Sequence, residues 1–371
     1  MESLSLTGPD SHRLRREPGV GSCTLGPRPS DLVLSPADKV DWAAFDRFTT
    51  PAGSPWPRWI TYEGDDTGWA AWSRRRPIEG LSWTPHAAHD LDASRARIGD
   101  LSVTVRRAPL RLVLPSRTRF AAAGDLSLLT PVLAPGADCP PLRFHPDTTA
   151  AREVPYALPE LPAVLGATDV GVSVPPLRQP FDCAGLLRFP GLRRLSLAGS
   201  LTSLGALAAL PGLTALQLRY VPDLAGLPSL DAWPDLTHLI VWNCDDRTGR
   251  RVRSELRRTA REWRHSSVSQ LRSPAWFATG YGLPFSAWPA RSARTATKAF
   301  RAAETAIGAA PTIPAVQEAI HGFVGVLNRL PRIETTERED AATAVDLLTA
   351  TTPHGDLRTA AASWFDATRD F

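Results

Sequence analysis

The sequence predicts an α/β solenoid: an irregular repeat array with an aromatic N-terminal cap and a C-terminal helical region. Three observations point there. One apolar pattern recurs three times, at spacings of 21 and 23 residues. Prolines number 35 in 371 residues, nearly twice the usual frequency of about 5%. Such a load favours many short segments joined by turns over long helices. From residue 295 onward the apolar spacing changes to that of helices.

The recurring pattern is Pro190-Gly191-Leu192-x-x-Leu195-x-Leu197, then Pro211-Gly212-Leu213-x-x-Leu216-x-Leu218, then Pro234-Asp235-Leu236-x-x-Leu239-x-Val241. Leu195 and Leu197 alternate, so both point to one face of a short strand while Ser196 points to the other. Between the strands, leucines fall at every third position, as in Leu201, Leu204, Leu207 and Leu210, which suits a 3₁₀-like return. One such coil cannot bury its leucines alone, so coils are expected to stack. These residues resemble the leucine-rich repeat family, whose pattern is L-x-x-L-x-L-x-x-N/C at a period of about 20–29 residues. Cys244 falls on the N/C position of the third repeat, whereas Ser200 and Val221 depart from it.

Upstream, Ile98-x-x-Leu101-x-Val103-x-Val105, Leu110-x-Leu112-x-Leu114, Leu142-x-Phe144 and Val170-x-Val172-x-Val174 also alternate like strands. They fit either a separate small β domain or an extension of the same array; the short runs and coil-length gaps favour the extension. The array is therefore expected over 89–245, clearest over 189–245. Residues 31–88 hold six of the twelve tryptophans and are expected to form the N-terminal cap. Residues 1–30, rich in proline, glycine and arginine without an apolar core, are expected to be a disordered lead.

Past the last repeat, Val252, Leu256, Ala260 and Trp263 recur at helical spacing, predicting an amphipathic helix over 247–264. Its other faces carry Arg250, Arg251, Arg253, Arg257, Arg258, Arg261 and Arg264. The chain's net charge is only +4, yet residues 245–301 hold thirteen basic and four acidic residues, a net of +9 against −5 elsewhere. Leu271-Arg272-Ser273-Pro274-Ala275-Trp276-Phe277 and Tyr281-Gly282-Leu283-Pro284-Phe285 follow, and with the basic helix are expected to cap the array over 246–294. With Ile333-Glu334-Thr335-Thr336-Glu337-Arg338-Glu339-Asp340, they resemble a poorly characterised group of bacterial leucine-rich repeat proteins, some labelled gliding motility proteins. That resemblance spans roughly 80–371 and implies architecture rather than an activity.

The remaining 295–371 is expected to be a small helical domain of four helices, marked by Phe300 and Ile307, by Val316, Ile320 and Phe323, by Val345 and Leu348, and by Ala361 and Phe365. Thr336 and Glu339 are expected to form a capping box at the start of the third.

The function expected of this organisation is a non-catalytic protein-protein interaction scaffold. If the family geometry holds, a concave face carries Arg194 and Ser196, then Ala215, Gln217 and Arg219, then His238, Ile240 and Trp242. Arginine and tryptophan are types enriched at binding hot spots. The alternative is binding of nucleic acid or an anionic surface through the arginines of 247–264, though no recognised nucleic-acid module accompanies them. A third reading, a metal or enzyme site at His86-x-x-His89-Asp90-x-Asp92, ranks below a simple polar coil edge. No phosphate-binding loop, nucleophile elbow or zinc-protease motif is present. No enzyme activity, cofactor or metal is expected, and the partner is an unidentified protein. No apolar run reaches the roughly 18 residues of a membrane span. With no export signal and four scattered cysteines, a cytoplasmic location is expected.

Overall fold

The computed structural model describes residues 1–371 apart from Val20, Arg152 and Thr351. The chain divides into two compact units, Met1–Arg272 and Ser273–Phe371.

The first unit is built on one long, mostly parallel sheet of 14 strands that is not closed into a barrel. Residues that alternate apolar and polar form its strands, because one face is buried and the other is not. From Cys23–Gly26 onward the ladder is parallel throughout, running through Trp59–Glu63, Ile78–Thr84, Ile98–Val105, Arg119–Gly124, Leu142–Pro146 and Asp169–Ser173. It continues through the three repeat strands, Arg194–Ala198, Ala215–Arg219 and His238–Trp242, to a last strand at His265–Ser269. The strands Ile98–Val105, Arg119–Gly124, Leu142–Pro146 and Asp169–Ser173 thus belong to the same sheet as the repeats, and residues 89–188 lie with them in one compact unit.

Pairing register aligns the inward residues into rows. Ile60, Leu81, Leu101, Phe120, Leu142, Val170, Leu195, Leu216 and Leu239 form one row, each no more than 2% exposed. Two residues further on, Tyr62, Trp83, Val103, Ala122, Phe144, Val172, Leu197, Leu218 and Val241 form another. Because parallel neighbours need a crossover, each strand is followed by a return segment. In the first half these returns pair among themselves, as His89–Asp92, Leu110–Val113 and Leu129–Val132 form a second, three-stranded parallel sheet. In the repeats the return is the predicted 3₁₀ type, at Cys183–Arg188, Leu204–Ala209 and Leu230–Ala232.

The turn out of each repeat strand has one backbone solution. Gly199, Tyr220, Asn243 and Gln270 follow the strand ends in register, and all four have positive φ, at 94°, 53°, 52° and 52°. Glycine is required at the first: a Cβ on Gly199 would lie 1.6 Å from the Val174 carbonyl oxygen. Gly124 ends its strand with φ 88°, and a Cβ there would lie 2.1 Å from the Val105 carbonyl oxygen.

Three sequence expectations need correction. Residues 1–30 form strands Glu2–Leu4, His12–Leu14 and Cys23–Gly26, burying Leu4, Leu14 and Leu25. Each of these strands has only three or four residues and one leucine, too few for a periodic pattern. The tryptophan-rich stretch is not a cap outside the array, since Trp59–Glu63 and Ile78–Thr84 are interior strands of the sheet. The sheet edge is instead formed by the antiparallel pair Glu2–Leu4 and His12–Leu14. Apart from Trp59, the tryptophans here act as core: Trp42, Phe45, Tyr62 and Trp72 pack ring to ring at 5.3–6.3 Å. Three of the indole N–H groups find acceptors: Trp42 donates to Asp66 at 2.9 Å, Trp72 to Asp46 at 2.8 Å and Trp83 to the Gly64 carbonyl at 2.8 Å.

The third correction concerns 246–294. Asp245 caps a helix at Asp246–Arg258, accepting from the Arg247 and Thr248 amides. This helix stops six residues before the predicted end, because the chain turns at Thr259 to add His265–Ser269 to the sheet. The aromatic segment Leu283–Trp288 belongs to the core of the second unit. Phe285 packs on Phe300 and Phe323 there, at 6.4 and 6.3 Å.

That second unit consists of Pro274–Thr279, Ala290–Gly308, Ile313–Leu327, Thr335–Thr349 and Arg358–Thr368. The third long helix starts earlier than the Thr336–Glu339 box predicts. Glu334 is the cap, and its amide donates to the Glu337 carboxylate at 3.2 Å. No helix among the described residues is long and apolar enough to cross a membrane.

Candidate interaction face

The strand residues that do not enter the core share one face of the long sheet. Register sorts them into rows. The first is Asp169, Arg194, Ala215, His238 and His265; the second is Gly171, Ser196, Gln217, Ile240 and Ser267; the third is Ser173, Ala198, Arg219, Trp242 and Ser269. The structure therefore brings Arg194, Ser196, Gln217, Arg219, His238, Ile240 and Trp242 together on one surface. All are at least partly exposed.

Two polar arrangements organise this surface. The Asp169 carboxylate, 13% exposed, accepts from Arg143 Nη1 at 2.8 Å on one oxygen and from Arg194 Nε at 2.9 Å on the other. Arg219 has no carboxylate partner among the described residues; its guanidinium stands over the Trp242 ring at 5.7 Å. Tyr220 meets the same indole edge to face at 4.9 Å. Trp242 is thus clamped between a cation and a phenol while remaining partly exposed, an amphipathic anchor held in one orientation. Beside Arg143, burial first and then the neighbouring guanidinium hold the His145 imidazole below its ordinary range, so it stays neutral at pH 7.

At the other end of the face Trp59 is 45% exposed, with its ring seated on Gly80. A Cβ on Gly80 would lie 2.2 Å from that ring. The Trp59 indole N–H donates to Glu79 at 2.7 Å, and Arg58 pairs with the same carboxylate at 2.8 Å.

Sequence reasoning missed Asp169, Arg143, Tyr220, His265 and Trp59 as members of the face. Asp169 was accessible in principle, since it stands one residue ahead of the alternating Val170-x-Val172-x-Val174 run.

The seven arginines of the predicted basic patch divide. Arg253 donates through Nε and Nη2 to the Val268 carbonyl at 3.1 and 2.8 Å. Arg261 reaches the Leu236 and Leu230 carbonyls at 3.1 and 3.4 Å. Arg251 donates to the Leu227 carbonyl at 2.6 Å and to Glu255 at 2.7 Å, and Arg250 pairs with Asp246. These four fasten the helix and the segment after it to the last coils and to the helix itself. Arg257, Arg258 and Arg264 are exposed, with no acceptor for their guanidinium groups among the described residues.

The histidine cluster is split between two carboxylates. His86 Nε2 lies 2.9 Å from Glu63, and His89 Nε2 lies 3.2 Å from Asp65. Asp65 also accepts the His86 and Ala87 amides, both at 2.8 Å, while Asp90 pairs with Arg111. Burial pushes the Asp65 carboxyl up, but those two amides and the His89 ring together hold it below the usual carboxylate range. Among the described residues no group of three or more His, Cys, Asp or Glu side chains is arranged to hold a metal ion.

All four cysteines are free thiols. Burial pushes Cys23, Cys183 and Cys244 up to about 12 and Cys139 up to about 11, which leaves them protonated and unreactive. Cys244 donates its S–H toward the Leu218 carbonyl at 3.3 Å.

No family model, curated protein or solved structure matches this chain.

Proposed function

We propose that the chain is an irregular leucine-rich repeat solenoid acting as a protein-protein interaction scaffold, with a partner seated across the sheet face of its repeats. Its work is then recognition rather than covalent chemistry. The observation that carries this reading is Trp242, partly exposed and clamped by Arg219 and Tyr220 on a face that extends unbroken across parallel strands. A rigid aromatic next to an arginine is the combination that dominates binding energy at protein interfaces. Ser196, Gln217, Ile240 and His238 surround it with smaller polar and apolar contacts.

The test is a Arg219→Ala, Trp242→Ala double variant used as bait in the native cell extract. The partner retained by the wild-type chain is expected to be lost. Equal retention would remove the face from the binding account.

The alternative, an anionic partner on the arginine-rich helix, draws on Arg257, Arg258 and Arg264. It is the weaker reading because Arg250, Arg251, Arg253 and Arg261 are already satisfied within the chain. Retention on heparin that falls steeply with salt would favour it.

A further inference from the structure

The sheet face has an electrostatic polarity that narrows the partner, on the assumption that the face is indeed where a partner docks. Over the six strands from Leu142–Pro146 to His265–Ser269, the outward charged side chains are Arg143, Arg194 and Arg219 against Asp169 alone. Asp169 is shared by Arg143 and Arg194, so one carboxylate offsets two guanidinium groups. Arg219 is offset by none and is held by an aromatic face instead. The last three strands contain no acid at all, and their outward rows add the imidazoles of His238 and His265. The preceding strands differ: their carboxylates Glu63, Glu79 and Asp100 are matched by His86, Arg58 and Arg119.

We infer that the repeat half of this face takes an acidic peptide segment carrying an aromatic or other apolar side chain. Carboxylates of the segment meet Arg219 and the unshared donors of Arg194, and the apolar side chain lies on Trp242 and Ile240. A guanidinium presents several N–H donors in a fork, so Arg194 can keep Asp169 on Nε while its terminal nitrogens receive a second carboxylate. Planar, paired recognition of this kind suits carboxylate better than a neutral or basic segment, which would leave Arg219 without an anionic partner beneath a docked chain.

The experiment is selection of random twelve-residue peptides displayed on phage against the full chain, followed by titration of the enriched peptides in labelled form. The expected result is enrichment of Asp and Glu together with an aromatic residue. The dissociation constant of such a peptide should rise at least tenfold in an Arg194→Glu, Arg219→Glu variant and should weaken with added salt. An Arg219→Lys variant, which keeps the charge and loses the fork, should fall between the two. Neutral or basic peptides that are lost with Trp242→Ala would overturn the acidic class and leave the face as the docking surface. Acidic peptides that bind the Arg194→Glu, Arg219→Glu variant and Trp242→Ala as tightly as wild type would overturn both readings. Displacement of the peptide by a twenty-nucleotide oligothymidine of equal affinity would overturn peptide recognition in favour of a general polyanion site.

Discussion

Trp288 donates its indole N–H to the Asp340 carboxylate at 2.8 Å, joining two segments 52 residues apart. One belongs to the aromatic, proline-containing stretch after the array, and the other to the acidic run that opens a helix. In the sequence they look like unrelated signatures, a cap and a helix start. In the structure they are two halves of one contact in the second unit. Burial raises the Asp340 carboxyl above its ordinary range, opposed by the Trp288 hydrogen bond and assisted by Glu337 and Glu339. For an acid with a raised folded value, the folded state holds its proton longer than the unfolded chain, so stability falls as pH rises through that window. Asp340→Ala should cost about 1–3 kcal/mol by removing the acceptor. Asp340→Asn keeps an acceptor and removes the half-buried charge, so its urea midpoint at pH 7 should exceed that of Asp340→Ala. A midpoint for Asp340→Asn equal to that of the alanine variant would show that the bond does not support this unit.

Asp65 has the opposite sign. Its carboxylate is held below the ordinary range by two amides and the His89 ring, so its contribution is fully present above the ordinary carboxylate value and is lost as pH falls through the lowered one. Asp65→Asn should lower stability at pH 7 by about 1–3 kcal/mol and flatten the acid limb of the stability profile. Urea midpoints of both proteins between pH 7 and pH 3 measure this; parallel curves would contradict it.

Backbone conformation separates positions that look equivalent in register. Gly199→Ala should destabilise by about 2 kcal/mol or more, from positive φ and from the approach to the Val174 carbonyl. Asn243→Gly relieves positive φ but also removes the Asn243 side-chain oxygen that accepts from Arg272 at 2.7 Å. It should therefore destabilise, whereas Gln270→Gly should be neutral or stabilising. Thermal midpoints of the three variants test this ordering.

The two faces of the repeat strands should respond differently. Leu216 is fully buried, and Leu216→Ala should cost about 2–5 kcal/mol. Its neighbour Gln217 points outward, and Gln217→Ala should stay within about 0.5 kcal/mol. Denaturant unfolding of the pair checks the register, since a slip of one residue would exchange the two outcomes.

The three clearest strands were legible because Leu195 and Leu197, and their counterparts, alternate within a repeated frame. The last strand, His265–Ser269, was not, as Val268 is its one apolar residue and the sheet accepts it through backbone pairing. Strands of three residues near the N-terminus gave no periodic signal, and the prolines and arginines there suggested disorder instead. The arginine cluster showed its charge in sequence but not its use, because backbone carbonyl acceptors such as that of Val268 leave no mark in a residue pattern. Of the face itself, the outward positions of the repeats were readable from alternation. The Asp169 ion pair with two arginines and the Tyr220 contact with Trp242 were not, since both depend on which strands become neighbours.

The central claim is that a partner contacts the sheet face beside Trp242. A photo-activatable benzoyl-phenylalanine at position 217, expressed in the native cell, tests it most directly, with the same residue at exposed position 225 in the return segment as its control. The account predicts one discrete crosslinked partner from position 217, abolished by Trp242→Ala, and none from position 225. The same adduct from position 225 and none from position 217 would contradict it.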